Sequence, residues 1–158
     1  MTSNLSGVVR LYEKGLNLLP PLQSLFLLFV RLYWGWLFAQ AGYGKLTHID
    51  RTTEFFGSLG MPFPEFNAYF IGLTEFLGGV LISLGLGTRL VGAFLAGEMF
   101  VAYLVAHRSE LMSVFSDPSE FYTAPPFTFM FASLILFLFG AGKISLDNLV
   151  TKVTRGLE

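Results

Sequence analysis

The sequence predicts an all-α integral membrane protein: a four-helix bundle with amphipathic helices at its N-terminus and in a loop. Three observations carry this reading. Apolar residues make up 53% of the 158 residues and charged residues 13%, about half the charged share of a soluble domain. The apolar residues collect in four stretches, at about residues 22–41, 68–86, 90–106 and 127–141. Glycines, prolines and polar turns separate those stretches. The length is that of one domain, residues 1–158. A net charge of -1 offers no basic surface, so nucleic acid is not an expected partner. The chain has no cysteine, which excludes disulfides, thiolate metal sites and cysteine-ligated iron–sulfur clusters.

Each element follows from local pattern. Leu5, Val8, Tyr12, Leu16 and Leu19 recur at helical spacing among polar residues, which predicts a short amphipathic helix in the membrane interface. Arg10, Glu13 and Lys14 interrupt it, so it does not read as a cleavable signal peptide. Pro20-Pro21 is expected to end it. The span 22–41 is long enough to cross about 30 Å of hydrocarbon at about 1.5 Å per residue. Trp34 and Trp36 lie too deep in it to mark the interface and are expected to pack inside. In the following loop Asp50 is a candidate N-cap, and Phe55, Phe56 and Leu59 share one face of a short surface helix. Gly60, Pro62 and Pro64 close that helix. Spans 68–86 and 90–106 form a hairpin around Gly85, Gly87 and Thr88. Gly92 with Ala96, and Ala93 with Gly97, are small residues four apart that permit close helix approach. A polar connection leads through Asp117-Pro118 to Pro125-Pro126 and the last span, 127–141. Lys143, Lys152 and Arg155 follow in a tail that reads as polar.

Four spans put both termini on one side. Arg10, Lys14, Arg89, Lys143, Lys152 and Arg155 lie on the terminal side, against Lys45, Arg51 and Arg108 in the two longer loops. The excess of basic residues places both termini in the cytoplasm.

The charges inside the spans are the candidate site. Arg31, Glu75 and Glu98 each fall near the middle of an apolar stretch, where a lone charge costs a few kcal/mol and calls for a partner or water. Equal depth and adjacent spans predict that the three converge at the bilayer midplane. Gln40, Tyr33 and Tyr69 are candidates to join them. Arginine stays charged, and two carboxylates in low dielectric do not both ionise cheaply, so one is expected to be protonated or served by water. Such a cluster suits proton handling or a polar headgroup; the plainer alternative is that it only locks the bundle. The two histidines, His48 and His107, lie just past the outer ends of spans, which disfavours haem ligation. Metal binding by His48, Asp50 and His107 is equally weak, and no phosphate loop or nucleophile motif is present.

Taken together, five segments resemble the DoxX family of small bacterial membrane proteins. They are Arg31-Leu32 with Gly35 and then 42–46 (GYGKL), 59–64 (LGMPFP), 72–79 (GLTEFLGG), 84–89 (LGLGTR) and 140–147 (GAGKISLD). The resemblance implies four transmembrane helices in the bacterial cytoplasmic membrane. It also implies a link to quinone-dependent oxidase or oxidative-stress systems, and it adds Lys45 to the candidate site beside Glu75. Many members carry His just before the glycine that corresponds to Gly42; Ala41 stands there in this chain.

The expected function is that of an accessory or quinone-interacting subunit of a membrane redox complex. No covalently bound cofactor is expected. A quinone is the ligand the resemblance favours, with other subunits or a second copy of the chain as partners besides the lipid bilayer. Because the chain has no ligand set for a redox centre, a partner carries the electrons. A proton-coupled transporter and a purely structural subunit are the alternative readings.

Overall fold

The computed structural model describes residues 2–156, with side chains described from residue 19 onward. The first helix, α1, runs from Thr2 to Thr47. Helix α2 (Ile49–Ser58) fills the first loop, and α3 (Pro64–Leu84) and α4 (Thr88–Ala106) form a hairpin. Two short helices, α5 (Arg108–Met112) and α6 (Pro118–Thr123), lead to α7 (Pro125–Phe139), and α8 (Leu146–Arg155) follows. Residues 19–47, 64–84 and 88–106 are long and apolar enough to cross a membrane, and α7 is a shorter apolar helix. At about 1.5 Å per residue α3 and α4 each match a hydrocarbon core of about 30 Å, and α7 falls short of it.

The expected break at Pro20-Pro21 does not occur, because both prolines lie inside α1. They remove only two backbone donors, and helices in a membrane setting tolerate such a loss. The amphipathic face expected over residues 5–19 rests on side chains that, before Leu19, lie outside the described residues.

Glycine sets the pairing of α1 with α3. A Cβ on Gly35 would meet the Gly79 carbonyl oxygen at 2.7 Å, and one on Gly42 would meet Phe76 Cα at 2.8 Å. Gly79 and Gly72 face back onto Ala39 and Leu46. Two glycines seven residues apart on each helix therefore let the antiparallel backbones touch, and that contact fixes how far one helix slides along the other. On α4, Gly92 abuts the Ser133 carbonyl of α7, and a Cβ there would lie 2.9 Å from that oxygen. The second small pair does not serve as an interface: Gly97 is exposed and meets nothing within 4 Å.

The core lies among these four helices around Leu27, Phe38, Ile82, Leu95 and Leu136. Trp34 joins it edge-on to Phe129, with ring centroids 5.3 Å apart. Trp36 corrects the expectation for both tryptophans: it is 63% exposed and faces outward with the lipid-side residues. In α2 the inward residues are Thr52 and Phe56. Asp50 lies within the first turn of α2 and His48 occupies the N-cap, so Asp50 is not the cap.

The α3–α4 turn closes with Gly85 in the left-handed region at φ 70°, its amide donating to Ile82 and that of Leu86 to Leu81. A residue with a Cβ is strained there, so glycine ends the helix cleanly. Gly140, at φ 76°, ends α7.

Candidate functional site

The glycine register decides which charges meet. With Gly35 against Gly79 and Gly42 against Gly72, Arg31 comes level with the C-terminal end of α3, and Glu75 lies opposite the C-terminal part of α1. The two are separated by about 12 Å along the helix axis. The predicted convergence of Arg31 with Glu75 and Glu98 does not form. The span 22–41 set the centre of the first helix too close to its start, because α1 continues to Thr47.

Lys45 takes the place expected of Arg31. It sits on the last turn of α1, and its ammonium donates to Glu75 Oε2. Glu75 is buried on α3, while Lys45 is partly exposed. Glu98, on α4, accepts a hydrogen bond from Thr74 Oγ1 at 3.0 Å. Its other oxygen, Oε1, is buried and has no partner among the described residues. A buried carboxylate oxygen without a partner is costly, and a ligand or water that donates to it removes the cost.

All three side chains line one cavity of about 260 Å³. Its other walls are mainly apolar and come from five helices and the turn after α2, including Phe55 of α2, Val101 of α4 and Phe129 of α7. His107, at the end of α4, lines the same cavity. Glu98, Val101, Ala102 and Val105 share one face of α4, so the cavity follows that helix from the carboxylates to its C-terminal end. An apolar chamber with a few convergent polar groups is the usual form of a small-molecule site. One cation and two carboxylates leave room for one more positive charge, from a proton or a ligand.

The remaining candidates lie elsewhere. Gln40, Tyr33 and Tyr69 are exposed on the outer faces of their helices and do not join the cluster. His48 turns its Nδ1 towards Thr47 Oγ1 and the Gly44 carbonyl at the surface, both at 3.1 Å. Ala41, where many DoxX members carry His, lies on the cavity wall. His107 is a lining residue that sequence reasoning set aside as interfacial. The helical face running from Glu98 through Val105 was the available signal.

Arg31 belongs to a second polar site, at the other end of the bundle. It is 1% exposed and its Nη2 donates to the Ile144 carbonyl. Nε and Nη1 have no hydrogen-bond partner among the described residues. Beside it, Asp147 accepts from the amides of Gly87 at 2.7 Å and Thr88 at 3.0 Å, so a residue of α8 caps α4. The Asp147 amide donates in turn to the Gly85 carbonyl at 2.8 Å. Segments 84–89 and 140–147, far apart in the chain, thus form one clasp around Arg31.

Comparison with known proteins identifies the family and relatives of the chain. The DoxX family model matches residues 26–108. The chain is 34% identical over 125 residues to a Bacillus subtilis (strain 168) protein named "Putative oxidoreductase CatD", covering 79% of this chain and 87% of that one. It is 29% identical over 131 residues to the Escherichia coli (strain K12) "Inner membrane protein YqjF", covering 83% and 96%. No solved structure matches the chain.

Proposed function

The chain belongs to the DoxX family, and from that premise we propose that it is a quinone-interacting accessory subunit of a membrane redox complex. The cavity is the observation that carries the reading. A quinone headgroup is a flat, largely apolar ring with two carbonyl oxygens, and it needs an apolar slot with hydrogen-bonding groups at its end. Phe55, Val101 and Phe129 supply such walls, and Lys45, Glu75 and Glu98 supply the polar end. The cavity of about 260 Å³ is close to the lower end of the usual range for ligand sites, which suits a headgroup whose tail continues outward.

In this reading Lys45 donates to a quinone carbonyl while Glu75 holds the ammonium in place. Glu98 Oε1, free of protein partners among the described residues, accepts from the hydroxyl of the reduced form. Electrons come from a partner subunit; a bound quinone supplies the two-electron couple. The name of the Bacillus subtilis relative supports a redox setting. That of the Escherichia coli relative supports an inner-membrane location.

The same reading makes the chain a multi-pass protein of the bacterial cytoplasmic membrane with both termini inside. The internal position of Lys45 supports this orientation, because it leaves Arg51 and Arg108 as the surface basic residues of the opposite loops.

The test is titration of the nanodisc-embedded protein with a short-chain quinone, read by quenching of Trp34, which packs on the cavity residue Phe129. Saturable quenching that weakens at least about tenfold in Lys45→Met and Glu98→Leu, and not in Gln40→Ala, supports the proposal. Absence of saturable quenching, together with no redox subunit on copurification, overturns it. The paired carboxylates at mid-bundle favour one second reading, a proton-coupled transporter. Liposome flux that is lost in Glu75→Gln selects that reading instead.

A further inference from the structure

The segment after α7, read from sequence as a polar tail, is a segregated amphipathic helix. Leu146, Leu149, Val150 and Val153 recur at i, i+3, i+4 and i+7 and fall within an arc of about 100°. All four are exposed, from 37% for Leu146 to 56% for Leu149 and Val153. Among the described residues the helix packs extensively against no other helix. Its attachments are polar and confined to its start: Asp147 accepts from the amides of Gly87 and Thr88, and its own amide donates to the Gly85 carbonyl at 2.8 Å. The protein thus holds one end of α8 and leaves its apolar face open.

The place where it is held identifies what covers that face. Asp147 ties α8 to the α3–α4 turn, the point at which two membrane-length helices end and hence the edge of the hydrocarbon slab. Leu90 and Ile144 beside the turn are 81% and 56% exposed, so the apolar belt continues from the bundle into the helix. Lys143, Lys152 and Arg155 are exposed around it, whereas Asp147, the acidic residue of the segment 143–155, is engaged in capping α4. A short helix with one apolar face, basic flanks and attachment at the slab edge has the form of an interfacial element.

We propose that α8 lies on the bilayer surface and binds anionic phospholipid headgroups through its basic flanks, with Leu146, Leu149, Val150 and Val153 seated among the upper acyl chains. The proposal is independent of any ligand in the cavity. It makes lipid composition a determinant of how firmly the clasp around Arg31 is held, because the first turn of α8 is part of that clasp.

The absence of cysteine allows single-site labelling of the full-length protein. Val153→Cys and Thr151→Cys, on opposite faces of α8, are each labelled with an environment-sensitive fluorophore. The protein is then placed in phosphatidylcholine nanodiscs with or without phosphatidylglycerol. Quenching of the Val153 label by a lipid-borne quencher should exceed that of the Thr151 label by about fivefold in anionic discs. That difference should shrink when Lys143 and Lys152 are both changed to Glu. Because α8 carries no core residues, Leu149→Ser should leave the bundle folded and expose the Val153 label to aqueous iodide. Equal access of iodide to both labels in anionic discs overturns the proposal. So does a Val153 label shielded from both quenchers, which indicates a second copy or another protein on the face.

Discussion

Gly35 and Gly79 touch backbone to backbone, and together with Gly42 against Gly72 this contact sets the level at which Arg31 and Lys45 meet α3. A Cβ on Gly35 would lie 2.7 Å from the Gly79 carbonyl oxygen, well inside van der Waals contact. Gly35→Val should therefore separate the helices and destabilise the protein by about 1–3 kcal/mol, the usual range for overpacking. Gly44→Ala, on the exposed face of the same helix, meets open space and should be neutral or slightly stabilising. Thermal unfolding of both variants in one detergent distinguishes a contact effect from a general intolerance of substitution.

Removing Lys45 should cost more than removing the pair. Lys45→Met leaves Glu75 buried without its cation, and breaking a buried pair costs about 3–5 kcal/mol. The partial exposure of Lys45 lowers the expected figure to about 2 kcal/mol. Lys45→Met combined with Glu75→Leu should recover most of that loss, because two apolar groups leave nothing unpaired. Denaturation of the two single variants and the double variant supplies the coupling energy. Additive losses would show that the two residues act separately.

The clasp at the other end should fail locally. Asp147→Ala removes the side chain that caps two amides of α4 and should cost about 1–2 kcal/mol. Arg31→Met removes the donor to the Ile144 carbonyl. Both variants should speed amide exchange over residues 85–89 and 142–148 by about tenfold or more. Exchange around Lys45 and Glu75, away from the clasp, should be unchanged.

Acid should loosen the start of α6. The amide of Ser119 at 3.1 Å and its hydroxyl at 2.5 Å both donate to Asp117 Oδ1, and these bonds hold the Asp117 carboxyl below its ordinary range. A carboxylate with a depressed folded-state pKa stabilises above its unfolded value, and that contribution is lost as pH falls through the folded one. Exchange at Ser119 and Glu120, corrected for intrinsic rates, should rise as pH drops below the usual carboxylate range. Asp117→Asn should flatten that dependence.

The two ends of the molecule differ in how far sequence reasoning reached them. Glu75 and Glu98 were legible as internal groups because each stands alone in an apolar stretch of membrane length. Lys45 came through family resemblance only: by hydropathy it reads as an interfacial residue just past a span, and the turn by which it reaches back to Glu75 depends on the length of α1. His107 was passed over because it lies just past the outer end of a span, yet it lines the cavity. The clasp around Arg31 joins three segments more than fifty residues apart, and no local pattern connects Arg31 to Ile144 or Asp147 to Gly87.

Composition and apolar runs by themselves determined that the chain is helical, that it enters a membrane, and which helices carry buried carboxylates. The bilayer makes those features local, since each crossing segment must satisfy its own backbone hydrogen bonds. Tertiary structure alone decided that Lys45 and not Arg31 faces Glu75, and that α8 is anchored by its first turn. Hydropathy limits the length of a helix but leaves it free to slide and rotate against its neighbours, and here the opposed glycines of α1 and α3 remove that freedom.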